Sequence, residues 1–224
     1  FYANGDLYIS GNGEFAVYEA YALKKLFDKF IDPLTDDYTI KFRNIYVDKD
    51  VEEIYIGKAY GGEKYIVDPE NKNYSSDSYG VLFSKDGKSI IDVLALWKET
   101  SYDIPFGVER IEWNAFSYAK HLTDVTIPTS VKYIGCYAFN LDVLTCDETV
   151  DGLIYIGDAL VDDICRYDYE TDEYISLEIA KVRAGTRIIA ENVGDCDGII
   201  YEIPDSVECI SEGLYSLASA YLVD

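Results

Sequence analysis

The chain has 224 residues, 49% of them apolar, and a net charge of −23 from 42 acidic and 19 basic side chains. Without a basic stripe to displace counterions, nucleic acid is excluded as a partner, and anionic lipid is disfavoured for the same reason. No run approaches the roughly 20 apolar residues of a membrane helix, so no membrane insertion is expected, and the acidity reads as solubility and self-repulsion of an exposed protein.

In chain order, the first feature is Gly5-Asp6-Leu7-Tyr8-Ile9-Ser10-Gly11-Asn12-Gly13, a short apolar strand around Leu7-Tyr8-Ile9 closed by a glycine turn. Ala16, Ala20, Leu23, Phe27, Phe30 and Ile31 then fall at helical spacing, with Lys24, Lys25, Asp28 and Lys29 available for water. Pro33 fits a stop just beyond that helix.

Next comes a phrase that recurs: aliphatic-Pro-x-(Gly/Ser)-Val-x-x-Ile, with Ala-Phe four residues after the Ile. Ile104-Pro105-Phe106-Gly107-Val108-Glu109-Arg110-Ile111 leads to Ala115-Phe116. Ile127-Pro128-Thr129-Ser130-Val131-Lys132-Tyr133-Ile134 leads to Ala138-Phe139, 23 positions on (104 to 127). A third copy runs from Ile203 to Ile210, a looser one from Val182 to Ile189, and a degenerate one from Val47 to Ile54. A period of this size predicts a solenoid, because one such unit cannot bury its own apolar face and must stack on neighbours. Within a unit, Asp124-Val125-Thr126-Ile127 alternates as a strand with Val125 and Ile127 on its buried face. The Pro ends that strand, the Gly or Ser turns the chain, Val-x-x-Ile begins a return segment, and Ala-Phe closes the coil.

The phrase resembles that of the BspA-type leucine-rich repeat family of bacterial surface and secreted proteins, Ile-Pro-x-Ser/Gly-Val-x-x-Ile-Gly-x-x-Ala-Phe, and residues 127–139 match it position for position. The segment from Ile66 to Ser76, running into Gly80-Val81-Leu82-Phe83-Ser84-Lys85, resembles a second family pattern. The glycine-rich opening at Gly5–Gly13 and the hairpin-like Asp151–Val161 resemble others. The last copy departs, with Leu214-Tyr215 in place of Ala-Phe. The expected architecture is therefore a β-rich α/β solenoid, a leucine-rich-repeat-like right-handed array. Residues 1–40 form its N-terminal cap, strand plus helix, with packing of that helix on the convex side as the alternative. Residues 41–224 form the array, with hairpin insertions near 66–97 and 149–175.

Chemistry is sparse. The single histidine, His121, has no nucleophile elbow near it, so no catalytic residue and no enzyme activity is expected. Asp195-Cys196-Asp197-Gly198, Asp162-Asp163 and 168–173 offer carboxylates, but none completes a calcium loop ending in a bidentate Glu; no metal and no cofactor is assigned. The five cysteines lack metal or redox spacing. They read mostly as small hydrophobes, with one bridge, such as Cys136 to Cys146, left open. The chain starts at Phe1 and contains no Met, so a mature product or excised piece is expected, with any export signal or anchor elsewhere.

Binding remains. Aligning the repeats puts Tyr46, Asp103, Thr126, Lys181 and Glu202 in one outward strand-face column, beside a second of Asn44, Ser101, Asp124, Ile179 and Ile200. The 22 tyrosines suit either a recognition surface or interior filling. The family resemblance implies a non-catalytic, secreted or cell-surface module. Such a module mediates protein–protein interaction or adhesion as a monomer, with a host matrix or bacterial surface protein as ligand. The alternative is a carbohydrate-binding or scaffold module of a larger secreted assembly, with a glycan as ligand.

Overall fold

A computed structural model describes residues 2–3, 5–17, 40–56, 60–149, 152–163, 166–168, 173–175, 179–191, 193–194, 199–211 and 221–222. Among these residues every regular element is a strand. The expected α/β character is therefore corrected to all-β there. Ala16, the first residue of the expected helix, lies in strand Gly13–Val17, which pairs in parallel with Val51–Ile56. A ladder partner takes up these backbone groups in place of helical bonds. Residues 18–31 and Pro33 lie outside the described residues.

The chain divides into two compact units, one of residues Phe1–Thr100 and Ala115–Leu122, the other of Ser101–Asn114 and Thr123–Asp224. In the first, strands Asp6–Ile9, Asn44–Val47 and Lys64–Val67 stack in parallel, with Leu7, Ile45 and Tyr65 in register and Ile9, Val47 and Val67 two positions on. Leu7, Ile9, Ile45, Val47 and Tyr65 turn inward and form one core with Phe42, Val51, Leu82 and Leu94. The coil-to-coil bonding continues past the strands: Asp48 N donates to Ile9 O at 3.0 Å and Asp68 N to Val47 O at 2.8 Å. The segment that follows folds into antiparallel strands Tyr74–Ser76, Leu82–Ser84 and Ser89–Asp92. Trp97, fully buried, donates its indole N–H to Tyr79 O and tilts against Phe116.

In the second unit the repeat phrase becomes visible as registry. Ser101–Asp103 pairs in parallel with Asp124–Thr126, and Arg110–Ile111 with Tyr133–Ile134, each at an offset of 23 (103 to 126). Ile179–Lys181 pairs with Ile200–Ile203 and Ile188–Ile189 with Cys209–Ile210, at an offset of 21 (181 to 202). Each Pro turn is closed by the same bond: Val108 N to Pro105 O, Val131 N to Pro128 O and Val207 N to Pro204 O, at 3.1–3.2 Å. The Gly/Ser choice in the phrase has a physical basis. Gly107 and Gly185 sit at φ +106° and +89°, where a side chain is strained. Their N–H groups donate to Ser130 Oγ and Ser206 Oγ of the succeeding coil, both at 3.0 Å.

Ile104, Val108, Ile111, Val125, Val131, Ile134 and both Ala-Phe pairs are buried. Ile127, expected on the buried face, and Ile210, at the end of the third copy, are not. Ile127 is half-buried at the strand end before Pro128. Ile210 is 44% exposed, because no strand lies beyond Cys209–Ile210 in its ladder among the described residues. The antiparallel strands Asp147–Glu148, Leu153–Ile156 and Ala159–Asp163 join the Ile188–Ile189 ladder, and Arg187 ties the turns together. It binds Asp158 through Nε and reaches Val131 O at 2.7 Å while 7% exposed.

Gly135 marks the tightest approach of two coils: a Cβ there would lie 2.7 Å from Trp113 N and 3.0 Å from its Cα. Backbone cannot yield as a side-chain tip can. Gly135→Ala is expected to cost about 2 kcal/mol, read as a lowered urea midpoint; an unchanged midpoint would refute the close packing.

Candidate interaction face

Among the described residues, the outward side chains of the parallel ladders form exposed columns that the stacking itself builds. In the first unit Tyr8, Tyr46 and Ile66 are in register. Tyr8 is 37% and Ile66 39% exposed, with Tyr46 half-buried between them. The Tyr8 and Tyr46 rings stack at 4.6 Å with an interplanar angle of 6°, close to the ~4.8 Å spacing of adjacent strands, so the rings follow the ladder.

Beside this column the ladder is held by a charged network. Asp6, 5% exposed, accepts from Arg43 Nε and Nη2 at 3.1 and 2.9 Å and from Asn44 N and Nδ2, both at 3.1 Å. The Arg43 hydrogen bonds hold the Asp6 carboxyl below its ordinary range, partly opposed by burial. Lys64 anchors the same edge by donating to Ser78 O at 2.9 Å. The column therefore sits on a backbone whose register is fixed from one side.

The second unit carries polar columns. Asp103 and Thr126, both exposed, face one another across one ladder, as do Ser101 and Asp124. In another ladder Lys181 Nζ meets Glu202 Oε2 at 3.3 Å, and Ile179, 46% exposed, adjoins Ile200. The five residues aligned from the sequence thus occupy three ladders: Tyr46 in the first unit, Asp103 with Thr126, and Lys181 with Glu202. Sequence alignment on the Ile-Pro phrase missed Tyr8 and Ile66. Their signal was the shared alternation of Leu7-Tyr8-Ile9, Ile45-Tyr46-Val47 and Tyr65-Ile66-Val67, which has no Pro to mark it.

The tyrosines divide between the two roles. Tyr65, Tyr102, Tyr155 and Tyr201 are at most 3% exposed, whereas Tyr79 and Tyr137 are 46% and 58% exposed. Tyr133 is held by an Arg110 guanidinium 3.8 Å from its ring centroid and by donation to Glu191 Oε2 at 2.5 Å. Burial and the Glu191 carboxylate raise its phenol above the ordinary value.

Residues weighed for chemistry are placed as follows. His121 is exposed. Among the described residues no group of three His, Cys, Asp or Glu is arranged to hold a metal. Asp163 spends one oxygen on Gly194 N and the Tyr201 hydroxyl; 169–172 and 195–198 lie outside the described residues. Cys136, Cys146 and Cys209 are free thiols, so the bridge from Cys136 to Cys146 is not formed, and burial pushes the Cys146 thiol up. Among the described residues no helix is long and apolar enough to cross a membrane.

No family model matches the chain, and no curated protein does. Among solved structures it is similar to a leucine-rich repeat protein from Eubacterium ventriosum, at 19% identity and a TM-score of 0.41, over 80% of this chain and 48% of that one. It is also similar to the pneumococcal vaccine antigen PcpA, at 15% identity and a TM-score of 0.42, over 79% and 40%. A third is a leucine-rich cell surface protein from Faecalibacterium prausnitzii, at 22% identity and a TM-score of 0.43, over 80% and 46%. The chain spans less than half the length of each. Two of these three neighbours are described as leucine-rich proteins, one of them from the cell surface, and the third as a vaccine antigen, while the stacked coils of this chain are established by its own pairing registers.

Proposed function

We propose that this chain is a non-catalytic interaction module of a secreted or cell-surface protein, binding a protein ligand through its ladder faces. The observation that carries the reading is the Tyr8–Tyr46–Ile66 column, with Tyr8 and Ile66 exposed and Tyr46 half-buried between them. Aromatic and aliphatic side chains in a rigid, pre-stacked row lose little rotamer freedom on binding, and Tyr is enriched at recognition surfaces. A paired aromatic row continued by an aliphatic side chain suits packing against a polypeptide. Stacking of a sugar on this column would need a free ring face, and Tyr46 has Tyr8 on one side and Ile66 in register on the other. The net charge of −23 favours a basic or neutral partner over an acidic one.

The test is a surface-binding assay of the purified chain against immobilised fibronectin, laminin and collagen at physiological salt. The combined variant Tyr8→Ser, Tyr46→Ser, Ile66→Thr is expected to weaken binding about tenfold or more with its thermal midpoint little changed. Undiminished binding by that variant would remove the column from the contact face. Replacement of Asp103, Lys181 and Glu202 together by Ala tests the second unit's ladders in the same assay.

A further inference from the structure

Away from the ladder faces, the second unit carries a small dimple of about 30 Å³ beside Tyr137. It is lined by the apolar side chains of Phe139, Leu141 and Val161 together with Tyr137, Gly135 and the half-buried Asp162. The volume suits one methyl-sized or water-sized group.

Tyr137 itself is unusual. It occupies the left-handed region at φ 53° and is 58% exposed. The equivalent position one coil earlier, Asn114, has the same geometry at φ 60°, and asparagine tolerates that region far better than a bulky aromatic residue does. A strained, exposed ring is retained where the backbone prefers Asn or Gly, and such strain points toward function. Trp113, 53% exposed, stands on the adjoining coil, whose Asn114 N donates to Cys136 O at 3.1 Å. Two large exposed aromatics thus arise from neighbouring turns, one of them at the lip of the dimple.

We propose that this corner binds an acetamido sugar within a neutral oligosaccharide. The acetyl methyl enters the dimple, the amide N–H donates to the Asp162 carboxylate, and the pyranose lies against the Tyr137 ring. Asp162 Oδ1 accepts from Asp163 N at 2.9 Å, which orients the carboxylate at the rim, and a carboxylate can accept further bonds. Trp113 extends the surface toward a neighbouring sugar. Peptide side chains larger than alanine do not fit the dimple, and the chain's net negative charge disfavours acidic sugars. This site is independent of the protein-binding column of the first unit.

The test compares two neutral trisaccharides that differ only in the C2 substituent, the N-acetylglucosamine trimer and cellotriose, by calorimetric titration and saturation-transfer NMR. The expected result is about a tenfold preference for the acetylated trimer, the scale of discrimination a single buried methyl supplies. Saturation should be strongest on the acetyl methyl. Tyr137→Asn, which suits the local backbone, is expected to keep or raise the thermal midpoint while weakening the trimer about tenfold. Asp162→Ala should weaken it as well. The Tyr8→Ser, Tyr46→Ser, Ile66→Thr variant should bind the trimer like the parent chain. Equal affinity for both sugars, no binding of either, or binding unchanged in Tyr137→Asn overturns the site.

Discussion

Replacing Asn71 by alanine is expected to destabilise the first unit by about 4 kcal/mol, a large part of the ~5–15 kcal/mol of a typical domain. Asn71 is fully buried. Its amide nitrogen donates to Asp48 O at 2.8 Å and Val51 O at 3.0 Å, and its oxygen accepts from Asn73 N at 2.9 Å and Tyr74 N at 2.8 Å. One side chain therefore satisfies four backbone groups across the turn between coils. Removing it leaves the Val51 carbonyl and the Asn73 and Tyr74 amides without that bond, while Asp48 O keeps Val51 N at 3.3 Å; the cost is ~1–3 kcal/mol per group that water cannot reach, and the losses overlap because the turn relaxes as one piece. Asn71→Asp is a sharper variant: it keeps the acceptor but sets a carboxylate against the Asp48 and Val51 carbonyls. Its stability should recover in part as pH falls and the acid gains a proton to donate. Urea unfolding followed with a probe in each unit measures both. A loss below about 1 kcal/mol in Asn71→Ala would show that water replaces the side chain.

Asp92→Asn is expected to stabilise the protein at pH 8 and to make no difference at pH 4. Asp92 accepts from the buried Tyr65 hydroxyl at 2.5 Å. Burial pushes the carboxyl from 3.8 up to about 7, against the pull of the Tyr65 and Val93 hydrogen bonds. Burial, with the carboxylate beside it, also raises the Tyr65 phenol. The sign follows from proton binding. Between about pH 4 and pH 7 the folded chain holds a proton on Asp92 that the unfolded chain has released, so stability falls as pH rises through this window and levels off above it. The full rise corresponds to at most about 4 kcal/mol, and relaxation or water entry reduces this to about 2 kcal/mol. The asparagine amide reproduces the neutral acid, with one acceptor and one donor edge, without the ionisation. Denaturation midpoints of both proteins from pH 4 to pH 8 should therefore diverge upward in pH. Parallel curves would mean that Asp92 ionises normally in the folded state.

These two residues illustrate how unevenly the structure could be read in advance. Asn71 lies in the segment that resembles a family pattern, yet nothing in that pattern says what an asparagine does there. Its four partners come from two neighbouring turns, Asp48–Val51 and Asn73–Tyr74. Ser89–Asp92 lies within the hairpin insertion expected near 66–97, but Asp92 looks like any acidic residue there. Only the approach of Tyr65 from the parallel ladder sets this half-buried acid against a buried hydroxyl. The helix expected from Ala16 onward illustrates the converse: a 3.6-residue spacing of apolar side chains suggested an end, and the ladder with Val51–Ile56 claimed Ala16 instead.

The coil was readable from the chain because its signals are local. Alternation places Val125 inward, the proline stops the strand, and Gly107 or Ser130 turns it, all within a dozen residues. The offsets of 23 and 21 then reappeared as ladder registers. Which coils stack on which was decided only in three dimensions. Tyr8 lies over Tyr46 although 38 positions separate them (8 to 46), while Asp103 lies over Thr126 after 23. The cost of closing a loop grows only slowly with its length, so insertions between coils leave the stacking intact while erasing its period from the sequence. The exposed tyrosine column, the saturated Asn71 and the dimple beside Tyr137 all depend on side chains from distant coils meeting, and no local pattern encodes such meetings.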